Sequence, residues 1–130
     1  MATETLARTG QADETNRLIS SQKVDGTAVY NRNGDSLGDV DHMMIDKYTG
    51  QVEYVVLSCG GFLGMGEEYS PLPWKSLTYD TNLGGYVIDA DKAKLGSAPR
   101  FKASAHPNWS DRGYSERVDQ YWGVRRAGAI

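Results

Sequence analysis

The chain has 130 residues, a net charge of −3 and a single cysteine, Cys59. This length suits one domain with tails rather than two domains, and one cysteine excludes both an internal disulfide and a cysteine-based metal cluster. No window approaches the roughly 18 consecutive apolar residues of a membrane span, and the N-terminus lacks the apolar region of a secretory signal. The sequence therefore predicts a cytoplasmic protein without a transmembrane segment.

Charge is unevenly distributed along the chain. Residues 1–99 carry 8 basic and 14 acidic side chains, for a net charge of −6, and residues 100–130 carry 6 and 3, for a net charge of +3. Nucleic-acid-binding proteins usually present a clustered basic face, so this distribution argues against nucleic acid as a partner. The basic tail could contact its own chain, a second subunit, another partner or RNA.

The predicted elements begin after a polar arm. Residues 1–18 show no sustained hydrophobic period and are predicted to be flexible. A short strand over Thr27–Tyr30 ends at the Asn33-Gly34 turn signal. The next strand, Ser36–Asp46, does not alternate cleanly between polar and apolar residues. A β-bulge near Asp39–His42 would restore the alternation, because one extra residue reverses the facing of everything after it.

The strongest strand is predicted over Gln51–Ser58. Its even-numbered face is apolar, and its odd-numbered face is polar at first but apolar at Val55 and Leu57. A strand that is apolar on both faces at one end is expected to be covered on both sides there. The interior of a barrel is one cover, and the other is either a second subunit or the C-terminal segment.

Three shorter segments follow in the predicted body. Glu68–Leu72 is interpreted as a brief strand ended by prolines, Leu83–Asp89 as a last strand, and Asp91–Leu95 as one helical turn. Trp74 and Leu77 are expected to close one end of the barrel.

The C-terminal segment has a helical pattern. Tyr114, Val118, Tyr121 and Trp122 recur at i, i+4, i+7 and i+8, which places them on one apolar stripe. A helix of about ten residues is marginal by itself. We therefore expect it to dock on another surface.

Motifs that could carry chemistry are weak. The glycine-rich segment 60–66 lacks both the Gly-Lys-Ser/Thr of a phosphate-binding loop and the spacing of a dinucleotide fingerprint. It is interpreted as a hairpin loop that presents Phe62, Leu63 and Met65. The loop either folds over the end of the barrel or forms a contact patch.

The densest ligand-like cluster is Asp39, Asp41, His42 and Asp46. On an extended strand His42 points away from Asp41, so a solvated acidic face is expected rather than a metal site. Cys59 follows an apolar strand and is interpreted as a small buried residue. We predict no catalytic, metal-binding or cofactor-binding residues, and hence no enzymatic activity.

Taken in order, these segments resemble the PRC-barrel family over about residues 19–101. The resemblance rests on the turn-and-hydrophobic pattern, on Gly61-Phe62-Leu63-Gly64 and on Pro73-Trp74. The family includes the barrels of the photosynthetic reaction-centre H subunit and of the bacterial ribosome-maturation factor. It implies a mainly β fold, a small antiparallel PRC-type β-barrel with a short C-terminal helix. Residues 1–18 would be an arm, 19–101 the barrel and 102–130 an extension that carries the helix.

The resemblance also implies an interaction module, because members of the family share no catalytic residues. We expect a bacterial, non-enzymatic adaptor or assembly module that forms a homodimer and binds a protein partner. An RNA- or ribosome-associated maturation factor and a peripheral partner of a photosynthetic membrane complex are the alternatives. The expected interaction surface consists of apolar residues that a single barrel would not hide: Val55, Leu57, Phe62, Leu63, Met65, Tyr114, Val118, Tyr121 and Trp122.

Overall fold

The computed structural model describes residues 14–59, 68–102 and 104–124. Its strands in chain order are β1 (Ala28–Tyr30), β2 (Ser36–Ile45), β3 (Val52–Ser58), β4 (Glu68–Pro73), β5 (Leu77–Asp80), β6 (Gly85–Ile88) and β7 (Phe101–Lys102). The helices in these ranges are α1 (Ser21–Val24), α2 (Lys92–Gly96) and α3 (Arg112–Tyr121), and a 3₁₀ turn spans Trp74–Ser76.

The strands form one sheet in the order β5-β6-β1-β2-β3-β4-β7. Neighbouring strands pair antiparallel, except that β1 and β6 are parallel, with Val29 beside Tyr86 and Tyr30 beside Val87. Within the described residues β5 and β7 are the two edges, so the barrel-like sheet is not closed by a ladder between them.

The predicted fold class is confirmed: the chain is mainly β, with a short C-terminal helix. The prediction that all strands pair antiparallel is wrong at one place. The β5–β6 hairpin lies on the side of β1 away from β2, and β6 pairs parallel with β1. Between Thr27 and Leu72 the described residues contain no α-helix, and the ten-residue α3 follows Asp91 as predicted.

The predicted β-bulge in β2 is present. Val40 pairs with Leu57 and His42 with Val56, which leaves Asp41 as the extra residue. Directly paired residues of antiparallel strands share a face, so the bulge moves Val40 and His42 to opposite faces of the sheet. It reconciles the two apolar phases of this strand.

The sheet packs its inner face around one core. Val55 pairs with Met43 and Leu72, and Leu57 pairs with Val40, so these side chains share one face of the central strands. All of them belong to the buried core or pack against it. The side chains of Val55 and Leu57 in β3 therefore line the interior of the barrel.

Four elements differ from those predicted. The strand expected over Leu83–Asp89 begins only at Gly85, because Asp80 Oδ1 accepts hydrogen bonds from the N–H groups of Asn82 and Leu83 and closes a turn there. Strands β5 and β7 and the single turn of α1 were not predicted. Helix α2 lies where one helical turn was expected, capped by Asp91, whose Oδ1 accepts from Lys94 N–H.

Candidate interaction surfaces

Four of the residues assigned to the interaction surface lie in the core instead: Val55, Leu57, Val118 and Trp122. Val55 and Leu57 are fully buried within a single chain. The expectation that one chain leaves them uncovered is wrong, because they form the inner face of β3 and are shielded by β2 and β4. They cannot reach a partner without opening the barrel.

The glycine-loop residues of the same predicted surface, Phe62, Leu63 and Met65, lie outside the described residues. Their assignment to a contact patch stays a prediction. Trp74 and Leu77, predicted to close one end of the barrel, are half-buried and pack against the core. The Trp74 ring lies 5.4 Å from that of Tyr86, measured between centroids.

The apolar stripe of the C-terminal helix is turned toward its own barrel. Helix α3 begins after Asp111, whose Oδ1 accepts a hydrogen bond from Gly113 N–H. Val118 and Trp122 are buried, and Tyr114 and Tyr121 pack partly buried against the same core. The four stripe residues are thus engaged within one chain.

Contacts from β3 and α2 hold this helix in place. Tyr54 OH donates a hydrogen bond of 3.0 Å to Asp119 Oδ1, and its ring lies 5.1 Å from that of Trp109. Tyr121 OH donates to the carbonyl oxygen of Lys94. Of the two covers proposed for the outer face of β3, the C-terminal segment is therefore the one observed at Tyr54.

Exposed large apolar side chains fall at two places on the described surface. Ile45 and Tyr48 lie at the tip of the β2–β3 hairpin and are 50% and 89% exposed; we call them the hairpin surface. Leu18, Tyr79 and Leu83 lie around strand β5; we call them the β5 surface. Sequence reasoning missed both. Only Tyr48 could have been predicted to be exposed, because it is an aromatic residue inside a tight turn.

The hairpin surface is held by a rigid turn. Asp46 Oδ1 accepts hydrogen bonds from the N–H groups of Tyr48 and Thr49, and the Asp46 carbonyl accepts from Gly50 N–H. The ammonium of Lys47 lies 5.7 Å from the centroid of the Tyr48 ring. Because its turn is closed by these bonds, Tyr48 stands out from the barrel without needing to be ordered by a partner.

An acidic groove of about 330 Å³ lies beside this hairpin, where α3 meets β3. Four carboxylates and one guanidinium line it, together with the Tyr54 and Trp109 rings: Asp46, Glu53, Glu116, Asp119 and Arg112. The neighbourhood of the hairpin surface is therefore negatively charged.

The β5 surface is built on an aromatic cluster. The Tyr79 ring lies 5.2 Å from that of Tyr86, and Tyr79 OH donates a 3.0 Å hydrogen bond to Glu14 Oε2. Lys23 Nζ lies 2.9 Å from the other oxygen of Glu14. The hydrogen bond that Lys23 donates lowers the pKa of the Glu14 carboxyl. The chain before α1 is thus tied to strand β5, with a groove of about 250 Å³ between them.

The acidic cluster of β2 has a different geometry from the one expected. His42 and Asp41 do not point apart: the bulge brings His42 Nδ1 within 2.7 Å of Asp41 Oδ2. In the described part of the chain no three His, Cys, Asp or Glu side chains come close enough to share a metal ion. The local role visible for Asp41 is this contact with its neighbour.

Cys59 is half-buried at the end of β3, and burial raises the pKa of its thiol. A raised pKa favours the neutral thiol in the folded state, so this group stabilises the fold below its unfolded pKa and less as pH rises. Since the thiolate is the nucleophile, we expect iodoacetamide at pH 8 to alkylate the folded chain several-fold more slowly than the urea-unfolded chain. Mass spectrometry over time gives the two rates, with glutathione in the same urea as the reagent control. Equal rates would contradict the burial of this thiol.

Within the described ranges every helix is too short or too polar to cross a membrane. In the described residues the seven-stranded sheet with one docked helix defines a small barrel-like β domain. The family model of the PRC-barrel domain matches residues 17–95, which is more than half of the chain. The chain belongs to the PRC-barrel family. A search of curated proteins finds no match.

Proposed function

We propose that this chain is a non-enzymatic, cytoplasmic protein-interaction module that forms a homodimer and binds a protein partner through its hairpin surface. The observation that carries the proposal is the grouping of exposed apolar side chains at two places rather than over the whole described surface. Scattered exposed apolar residues are normal on any protein, whereas grouped ones mark contact sites.

The hairpin surface suits a protein partner for a physical reason. Burying a fully exposed side chain of this size contributes about 1.5–3 kcal/mol; Tyr48 is 89% exposed and the half-exposed Ile45 would contribute less. The closed turn at Asp46 keeps the ordering cost low. The acidic groove beside it favours a partner with basic groups around an apolar centre.

The groups with shifted pKa values support a structural rather than a catalytic use. A hydrogen bond from Arg100 lowers the pKa of Glu68, and Arg100 also donates to the Leu95 carbonyl, so the pair braces β4 against the segment after α2. Glu14 likewise pairs with Lys23 and accepts a hydrogen bond from Tyr79, and so ties the chain before α1 to β5. Glu14 and Tyr79 do line one groove beside β5, but they are hydrogen-bonded to each other and Glu14 is also paired with Lys23, so both side chains are used to hold the two segments together.

The proposal is tested by replacing Tyr48 with a photo-crosslinking phenylalanine analogue and irradiating the protein in its native cells. We expect a discrete crosslinked protein at this position and none with the analogue at Ala93, an exposed residue of α2. The captured protein is then purified and its affinity measured against the unmodified chain, Ile45→Asp and Ala93→Asp.

We expect Ile45→Asp to weaken this affinity by at least about tenfold, because a charge replaces an apolar group that the partner would bury. Ala93→Asp should leave it unchanged. Equal crosslinking at Tyr48 and Ala93, or equal affinities of the two aspartate variants, would overturn the role of the hairpin surface.

A further inference from the structure

The two edges of the sheet differ in how they are protected. Edge strand β7 has two residues and ends in the exposed Lys102. Short strands and lysines are ordinary means by which proteins prevent edge-to-edge pairing. Edge strand β5 has four residues, Leu77–Asp80, and contains neither lysine nor proline. It pairs with β6 on one side and with no other strand in the described part of the chain.

Strand β5 is also the centre of an exposed apolar region. Tyr79 lies within the strand and Leu83 in the turn after it, and both line one open groove beside β5. Leu18, which is 73% exposed, lines a second groove together with Tyr79. An edge with unpaired backbone groups and apolar neighbours is a template for strand addition.

Hydrogen bonds within the chain hold both ends of strand β5. At its start Ser76 Oγ donates a hydrogen bond to the Pro73 carbonyl, and Leu77 N–H donates to the Trp74 carbonyl. At its end the Asp80 carboxylate closes the turn that leads into β6. Strand β5 therefore needs little ordering before it can accept another strand.

We propose that β5 pairs antiparallel with β5 of a second copy of this chain, which joins the two sheets into one across a two-fold axis. Charge favours a second copy as the occupant. The basic residue Lys75 precedes the strand and the acidic Asp80 ends it, so antiparallel pairing directs the basic end of each strand toward the acidic end of its copy. This inference rests on the proposed homodimer and locates its interface.

The inference is tested by sedimentation of the full chain at micromolar concentration. Two variants place either a positive or a negative charge at Thr78, an exposed residue in the middle of β5. We expect the unmodified chain to sediment at twice the 14.3 kDa mass of one chain. Thr78→Lys alone and Thr78→Glu alone should each raise the dimer dissociation constant by at least about tenfold, because like charges meet near the two-fold axis. A mixture of the two variants should recover dimers.

The control is Gln51→Lys, which adds the same charge to an exposed residue just before β3, four strands from β5 in the sheet. It should leave the dimer intact. A dimer that is lost with Gln51→Lys and kept with Thr78→Lys lies at the hairpin instead, and overturns the assignment to β5. Unchanged thermal unfolding shows that each variant folds.

Hydrogen exchange gives a second measurement of the same edge. The outward amides of Leu77–Asp80 should be protected at high protein concentration and become exposed on dilution. Protection that does not change on dilution means that the edge is covered within one chain, and also overturns the inference. A monomeric chain that still binds its partner through Tyr48 would end this inference and the homodimer while leaving the interaction module in place.

Discussion

Replacing Trp122 by alanine is expected to lower the free energy of unfolding by about 3 kcal/mol. The side chain is buried where the end of α3 meets the core, and the ammonium of Lys94 lies 5.3 Å from its ring. Alanine leaves a cavity that the short helix cannot close without leaving the barrel. Urea denaturation followed by circular dichroism gives the value.

Two control variants separate packing from other effects. Gln120→Ala changes an exposed residue of the same helix and should alter stability by less than about 0.5 kcal/mol. Trp122→Phe keeps most of the buried ring and removes an indole Nε1–H that is buried without a hydrogen-bond partner among the described residues, so it should cost far less than alanine. A loss from Trp122→Phe as large as that from Trp122→Ala would show that the packing described here is incorrect.

Gly38→Ala is expected to destabilise the chain by about 2–4 kcal/mol. Gly38 has a φ of +153°, and a Cβ at this position would lie 2.4 Å from the Ser58 carbonyl oxygen. That oxygen belongs to the neighbouring strand, so the β2–β3 ladder would have to separate. Thermal and urea unfolding of the purified variant measure the effect.

Gly34→Ala is the matched control for this variant. Gly34 also has a positive φ, +87°, but nothing lies within 4 Å of the position of an added Cβ. It carries the backbone strain without the steric contact, and should cost only about 1 kcal/mol. Equal losses from Gly34→Ala and Gly38→Ala would show that the close approach of Ser58 does not determine the effect.

The features that were predictable from the sequence are those that depend on the pattern of neighbouring residues within one segment. The change of apolar phase between Val40 and Met43 is enough to require a bulge, and the structure has it at Asp41. The spacing of Tyr114, Val118 and Trp122 is enough to require a helix. In each case the signal is a period within neighbouring residues.

Features that depend on which segments meet were not predictable in this way. A strand that is apolar on both faces does not record which face is inside, so Val55 and Leu57 were assigned to the wrong environment. The stripe on α3 indicates that the helix docks but not on what. Strand β7, with two residues, is too short to have a period at all.

The interaction surfaces were the least predictable part of the molecule. Leu18 and Tyr79 are far apart in the sequence and lie together only because the chain before α1 crosses beside β5. Exposure of a side chain depends on what the rest of the chain fails to cover, and no local pattern contains that information.

The parallel pairing of β1 with β6 has a consequence for synthesis on the ribosome. Val29 emerges early, but its neighbour Tyr86 is translated only after β2, β3, β4 and β5. Until then the nascent chain exposes one side of β1 as an open strand edge, a feature that favours aggregation. Contacts between distant segments also slow folding. A message cut short before Gly85 would therefore yield a product with a permanently open central strand, and such a product would be a substrate for chaperones and proteases.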